Sequence, residues 1–201
     1  MITKFYIAIF IIIAALCIYN LWNISNTDQN TVIHSNGEIW EKGIAYHDSK
    51  AYDLHRKAIK FIENKSIDQA EETILNLISD YPDYVGGYII LGSIKENQYK
   101  LDEAKQQFLK AINVRPDHHQ PFARLANVEA KLGNCDEALK QFKNALDIEY
   151  NYAKAHYGIA YCHYQLKNLE LVKFHANKTI DLRNDLQSAE AAEKLLKLIS
   201  E

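Results

Sequence analysis

Two stretches in the middle of the chain share one pattern in the same register. The first, DEAKQQFLKAINVRPD, begins at Asp102, and the second, DEALKQFKNALDIEYN, begins 34 residues later at Asp136. Both contain Asp-Glu-Ala, then Gln-Phe, then Ala. A unit that recurs at a fixed period of about 20–50 residues predicts a stacked array of small supersecondary elements.

The 34-residue frame continues in both directions. Its starts are Ala51, Val85, His119 and Ala153. A small residue opens the second half of each unit, at Ala70, Ala104, Ala138 and Val172. The residue four positions later is Ile74, Phe108, Phe142 or Ala176, and the unit closes with Pro82, Pro116, Tyr150 or Asn184.

Each half unit has the pattern of a helix. Ala104, Phe108, Ala111 and Ile112 follow the spacing i, i+4, i+7 and i+8, which is one face of an α-helix. Gly133 suits a helix end before Asp136-Glu137, and Pro116 ends the helix that precedes it. Because one helix pair is too small to bury its own apolar face, neighbouring pairs must stack.

This pattern resembles the tetratricopeptide repeat (TPR) family, a 34-residue helix–turn–helix with the signature W-x₂-L-G-x₂-Y, A-x₃-F, P. The resemblance covers residues 51–186, as repeats 51–84, 85–118, 119–152 and 153–186. It implies an all-α, TPR-like solenoid of about four repeats, in a domain over 45–186. Residues 187–201, QSAEAAEKLLKLISE, predict a C-terminal capping helix, with an amphipathic recognition helix as the alternative.

The N-terminal residues 1–22 predict a transmembrane helix that anchors the chain. Within them, FYIAIFIIIAALCIYNLW spans 18 residues from Phe5 to Trp22 with one polar residue, Asn20, and about 20 apolar residues cross a bilayer. A cleaved signal peptide is the alternative, but the following residues offer no small-residue cleavage pattern. Lys4 lies before the span and no Lys or Arg follows until Lys42, which predicts a cytoplasmic N-terminus and an extracytoplasmic repeat domain.

Residues 23–44, rich in Asn, Ser and Thr, are interpreted as a linker. Within it, we expect a helix from about Glu38 onward, with Ile39, Trp40 and Ile44 packing on the first repeat.

Little in the sequence indicates catalysis or a cofactor. None of the motifs GxxxxGK[ST], GxGxxG, HExxH and GxSxG occurs. His156 and His163 share a helical face, but they occupy packing positions, and a metal or haem module requires both to be exposed. Cys135 and Cys162 are interpreted as buried thiols, with a disulfide as the alternative. We therefore predict a protein that is not an enzyme and has no cofactor; its net charge of −3 does not favour a nucleic-acid partner.

The resemblance implies that the first helices line a concave groove that binds peptides. The six candidate residues are basic, amide or aromatic: Arg124, Asn127, Lys154, Tyr157, Tyr161 and Tyr164. Arg with tyrosines is common at binding hot spots, so we expect a partner with an acidic or carboxylate group. The alternative is that the tyrosines only pack against the C-terminal helix. Chaperone-binding members of this family bind a C-terminal carboxylate with a Lys/Asn clamp. Ile89 and Ser93, or His55 and Ile59, stand at the positions of its first Lys and Asn here, so that clamp is not intact.

The expected function is a membrane-anchored adaptor that binds a partner peptide or client chain while an envelope complex assembles. Proteins of this architecture serve cytochrome c maturation, pilus assembly and translocation, and no residue chooses among these roles. Self-association into a scaffold is the alternative from a different class.

Overall fold

The computed structural model describes residues 31–33, 39–41, 44–46 and 49–200. The chain divides into two compact units, residues 1–47 and 48–201. The predicted membrane anchor at 1–22 lies outside the described residues, as does most of the predicted linker at 23–44. Within the part of the chain that is described, no helix is both long and apolar enough to span a bilayer.

The first unit contains a small antiparallel sheet. Strands β1 (Thr31–Ile33), β2 (Ile39–Glu41) and β3 (Ile44–Tyr46) pair in that order, with Val32 opposite Trp40 and Trp40 opposite Ala45. The expected helix from Glu38 is therefore wrong, because residues 39–41 and 44–46 are strands. The physical reason is composition, since β-branched and aromatic residues such as Val32, Ile39 and Trp40 favour extended backbone.

The second unit is helical. Over residues 49–200 it contains nine helices in four pairs and a final helix: α1 (Ser49–Glu63), α2 (Ile67–Asp80), α3 (Val85–Asn97), α4 (Leu101–Val114), α5 (His119–Lys131), α6 (Cys135–Ile148), α7 (Ala153–Gln165), α8 (Leu169–Leu182) and α9 (Leu186–Leu198). The predicted TPR-like solenoid with a C-terminal helix is thus confirmed for these residues. The sheet in 31–46 is the one departure from an all-α chain among the residues described.

The core repeats with the sequence frame. Phe108 of α4 and Phe142 of α6 are completely buried, and each is flanked by the buried alanines of its own helix. At the C-terminal end, Val172 and Ala176 of α8 pack with Ala192 and Leu195 of α9. The last helix therefore covers apolar surface that the fourth repeat would otherwise expose.

Each turn between the two helices of a pair contains one residue with left-handed backbone. These residues are Lys65, Tyr99, Gly133 and Lys167, with φ of 61°, 58°, 84° and 61°. The four residues are spaced 34 positions apart, which is the period of the repeat. The turn geometry is therefore a property of the repeat, and only the third repeat has the glycine that this geometry favours.

Candidate functional site

A pocket of about 240 Å³ opens where α5, α7 and the start of α9 meet. Its lining residues are Ala123, Arg124, Asn127, Tyr152, Lys154, Tyr157, Gln187 and Ser188. Four of the six predicted site residues are among them: Arg124, Asn127, Lys154 and Tyr157. The structure thus brings together the polar part of the site that the sequence suggested.

Helical spacing explains this convergence. Arg124 and Asn127 are three residues apart on α5, and Lys154 and Tyr157 are three apart on α7, so each pair lies on one face of its helix. Both helices open their repeats, and stacking places them side by side. The two pairs consequently line the same pocket.

The pocket's charges are arranged with cations outward and acids inward. Arg124 Nη1 lies 3.9 Å from Glu96 Oε2, and Lys131 Nζ lies 2.6 Å from Glu96 Oε1. The side chains of Arg124 and Lys131 are 43% and 48% exposed, whereas that of Glu96 is 8% exposed. In these two ion pairs, the cationic ends are therefore more exposed than the carboxylate that they share.

Lys154 is paired in the same way. Its Nζ lies 3.3 Å from Asp185 Oδ2, and the two side chains are 49% and 16% exposed. Asp185 is also the N-cap of α9, because its carboxylate accepts hydrogen bonds from the Ser188 backbone N–H at 3.4 Å and from Ser188 Oγ at 3.2 Å. One carboxylate thus fixes the start of α9 and holds Lys154 at the pocket.

Two tyrosines supply the aromatic wall. Burial raises the pKa of Tyr152 and of Tyr157, so both phenols keep their proton at neutral pH and remain hydrogen-bond donors. Tyr152 also packs edge-on against His119, with ring centroids 4.6 Å apart. The pocket therefore offers two cations, the two amides of Asn127 and Gln187, and two neutral phenols.

The other two predicted tyrosines lie elsewhere. Tyr161 is 42% exposed and is not among the residues that line this pocket. Tyr164 lines a separate, open depression of about 440 Å³ with Gln165, Lys167 and Leu169. Tyr157 and Tyr164 both pack against the apolar cluster of α7, α8 and α9, which is the packing role that the sequence left open. Tyr157 therefore both lines the pocket and packs against this cluster.

Sequence reasoning missed Tyr152, Gln187 and Ser188. Asp185 three residues before Ser188, followed by the apolar Leu186, is an N-cap pattern that places a helix start here. It does not show that this helix start reaches α5 and α7, because that depends on how the last helix packs.

The remaining candidates for chemistry are buried or dispersed. Among residues 49–200, no group of three or more His, Cys, Asp and Glu side chains could hold a metal ion. His156 is 4% exposed, so the joint exposure that a metal or haem module requires of His156 and His163 is absent. Cys135 and Cys162 are free, buried thiols in contact, and burial raises the pKa of Cys162 to about 12.

Comparisons with known proteins agree with this architecture. Two family models described as tetratricopeptide repeat match residues 85–118 and 123–171. No curated protein sequence matches the chain.

Solved structures give a similar result. The structure of MamA MSR-1 is 28% identical with a TM-score of 0.54, over 68% of this chain and 80% of that one. MamA from Desulfovibrio magneticus RS-1 is 16% identical with a TM-score of 0.61, over 75% and 85% of the two chains. The first TPR of Spaghetti (RPAP3), bound to an HSP90 peptide, is 19% identical with a TM-score of 0.50, over 57% and 91%.

The sequence frame, the helix pairs and the matched models agree on the class of protein. Domains of this class mediate protein–protein interaction. The repeat domain of this chain belongs to the tetratricopeptide repeat family.

Proposed function

We propose that the chain is a non-enzymatic adaptor whose pocket between α5, α7 and α9 binds a peptide with an acidic side chain or a C-terminal carboxylate. The observation that supports this is the arrangement of charge: Arg124 and Lys154 expose their cationic ends to one pocket, while their carboxylate partners are mostly buried. A carboxylate accepts charge-assisted hydrogen bonds from both cations. Asn127 and the phenols of Tyr152 and Tyr157 add neutral donors around it.

The first TPR of Spaghetti (RPAP3) is bound to an HSP90 peptide of sequence SRMEEVD, which is acidic at its end. At 19% identity this likeness supports a shared fold only. For the present chain, the ligand class is inferred from Arg124, Asn127 and Lys154.

Peptide binding tests the proposal directly. A library of random hexapeptides with free C-termini is screened against the purified full chain, and each hit is resynthesised with an amidated C-terminus. We expect each hit to lose affinity when its C-terminus is amidated or its acidic side chains are replaced by amides, and Arg124→Gln with Lys154→Gln to raise the dissociation constant at least tenfold. A matched control, Lys143→Gln with Lys173→Gln, removes the same charge from exposed positions outside the pocket lining. Equal loss in both double variants, or hits that keep their affinity after every carboxylate has been replaced by an amide, contradicts the proposal.

The proposal includes the membrane anchor at 1–22, with the N-terminus in the cytoplasm and the repeat domain outside it. Its support is the apolar run before Trp22 and the single Lys4 that precedes that run. A reporter enzyme that is active only outside the cytoplasm, fused after Glu201, is expected to be active. Activity of a cytoplasm-specific reporter alone contradicts this orientation.

A second candidate function is self-association through the last helix. Leu186 and Leu198, at the two ends of α9, are 74% and 53% exposed. Exposed apolar residues on a terminal helix favour contact with another copy. A mass measurement at several concentrations separates the candidates, because an adaptor stays monomeric and a scaffold does not.

A further inference from the structure

Three histidines form a stack between the helices of the fourth repeat. The rings of His156 on α7 and His175 on α8 have centroids 5.3 Å apart and an interplanar angle of 30°. The ring of His163 on α7 lies 6.2 Å from that of His175 at 23°. His175 thus lies between two rings of α7, and the stack joins the two helices of the pair.

The hydrogen bonds of the stack indicate which ring nitrogens carry a proton. His156 Nε2 is 3.2 Å from the Tyr150 carbonyl oxygen, which can only accept, so Nε2 bears the proton. In a neutral ring, His156 Nδ1 is then an acceptor, and His175 Nδ1 donates to it across 3.1 Å. The two Nδ1 atoms share one hydrogen, so this hydrogen bond between α7 and α8 persists only while at least one of the two rings is neutral. Protonation of both rings would place two N–H groups and two positive charges against each other.

The surroundings oppose positive charge. Among the described residues, no carboxylate of α6, α7, α8 or α9 lies within 4.0 Å of the three imidazoles, and His163 Nδ1 is buried without a hydrogen-bond partner. The charged group that acts on the stack is Lys178 of α8, whose Nζ lies 5.3 Å from the centre of the Tyr150 ring. Tyr150, from the α6–α7 connection, packs edge-on against the His156 ring of the stack.

The pKa values of all three histidines in the stack are lowered. Burial lowers the pKa of His156 and of His163, and burial with the two neighbouring imidazoles lowers that of His175 to about 4. The unfolded helices therefore bind more protons than the folded ones at mildly acidic pH. Stability from the stack is complete above the unfolded histidine pKa of about 6.5 and decreases as pH falls below it.

We propose that this histidine stack is a proton-sensitive lock, which holds α8 and α9 on α7 at neutral pH and releases them in mild acid. Release would withdraw Gln187 and Ser188 from the pocket wall. The lock would therefore regulate the peptide site, and this last step rests on the proposed function.

The position of the stack suits local release. In a repeat array each unit contacts only its neighbours, and the terminal unit contacts a repeat on one side alone. Such a unit opens at a lower free energy than the middle of the array. For His175 alone, a change in pKa from about 6.5 to about 4 raises the opening equilibrium about 30-fold between about pH 7.5 and pH 5.

Amide hydrogen exchange on the full chain, without any peptide, tests the lock. After correction for intrinsic rates, we expect amides of α8 and α9 to exchange about 30-fold faster at pH 5 than at pH 7.5, while those of α5 and α6 change little. His175→Phe keeps an aromatic ring in the stack without a titrating group, and it should remove most of this difference. His163→Gln is a milder second variant, because His163 is at one end of the stack, and it should reduce the difference in part.

The matched control is His119→Gln. Burial also lowers the pKa of His119, but this ring packs on Tyr152 in the neighbouring repeat. We expect the acid response of α8 to persist in this variant. A uniform increase across all helices, or an unchanged response in both His175→Phe and His163→Gln, overturns the lock.

The peptide arm separates the two proposals. The lock controls the site if a hexapeptide hit binds the wild-type chain at pH 7.5 and loses affinity at pH 5, while the His175→Phe variant keeps its affinity for the same peptide at pH 5. If the amides of α8 and α9 exchange faster at pH 5 but the chain binds no peptide at either pH, the result supports the lock and contradicts the adaptor function.

Discussion

A Cβ atom added to Gly158 would lie 2.0 Å from Cζ of Phe142, whose side chain is completely buried. Gly158 is in α7 and Phe142 is in α6, so the absence of one side chain lets the third and fourth repeats approach. We expect Gly158→Ala to destabilise the domain by about 2 kcal/mol, because the clash of about 3 kcal/mol exceeds the gain in helix propensity of about 1 kcal/mol. Urea unfolding measures the change.

A double-mutant cycle identifies the cause. Phe142→Leu shortens the side chain that the new methyl group would meet, so Gly158→Ala should cost less in that background. If Gly158→Ala stabilises the wild-type domain, the close contact between these helices is contradicted.

The left-handed residue of each helix pair gives a second prediction. Tyr99 has φ of 58° and is 84% exposed, so its ring makes few contacts that a glycine would lose. A left-handed conformation costs a non-glycine residue roughly 1–2 kcal/mol, part of which the greater freedom of unfolded glycine offsets. Tyr99→Gly should therefore stabilise the domain by about 0.5–1 kcal/mol, measured as a higher urea midpoint with an unchanged slope.

The converse substitution is the control. Gly133 has φ of 84° and open space around the position of a Cβ, so Gly133→Ala changes backbone strain without a steric clash. It should destabilise by about 1 kcal/mol. Effects of the same sign in both variants would show that backbone strain does not decide them.

The repeated packing residues made the solenoid predictable. Ala104, Phe108 and Ala111 recur at the same spacing in α6, and such positions are buried in any helix pair that stacks on a neighbour. Four site residues were predictable for the same reason, since helical spacing alone places Arg124 with Asn127 and Lys154 with Tyr157.

The parts that sequence reasoning missed depend on tertiary packing or on weak local signals. Gln187 and Ser188 reach the pocket through the packing of α9, which no local pattern encodes. Tyr161 follows helical spacing with Tyr157 and yet is not among the residues that line the pocket, because four residues move it about 6 Å further along α7. The strands at 31–46 have three residues each, too few for a clear alternation of apolar and polar positions.

A buried ion pair between repeats two and three predicts a distinct acid response. The Glu129 side chain is 2% exposed, and its carboxylate accepts from Lys105 Nζ at 2.6 Å and from Asn134 Nδ2 at 2.9 Å. Burial acts to raise the pKa of Glu129, but the hydrogen bonds from Lys105 and Asn134 outweigh it, so the pKa is lowered. Stability from this pair is therefore present above the unfolded pKa of about 4.3 and is lost as pH falls through the lower folded value.

Glu129→Gln keeps the shape and removes the charge. We expect it to destabilise the domain by about 1–2 kcal/mol near pH 7, and by less near pH 3.5, which is below the unfolded pKa of about 4.3, because the unfolded wild-type chain binds the proton there. Urea unfolding at both pH values measures the difference. Glu103→Gln, whose side chain is 53% exposed beside Lys95, is the control and should change stability by less than about 0.5 kcal/mol. A Glu129→Gln effect that is independent of pH would contradict this role for the charge.

Asp185 gives the prediction that relates the pocket to its ligand. Asp185 Oδ2 lies 3.3 Å from Lys154 Nζ, and the same carboxylate caps α9. A peptide carboxylate that binds Lys154 must therefore compete with Asp185. Asp185→Ser removes the charge but leaves a hydroxyl that caps a helix nearly as well. We expect this variant to bind a carboxylate peptide about two- to fivefold more tightly, since a partly exposed ion pair is worth up to about 1 kcal/mol, with little change in melting temperature. Asp185→Ala loses the cap as well and should lower stability by about 1 kcal/mol. Fluorescence anisotropy with a labelled hexapeptide measures the affinity, and weaker binding by Asp185→Ser at unchanged stability would mean that Lys154 does not contact the ligand.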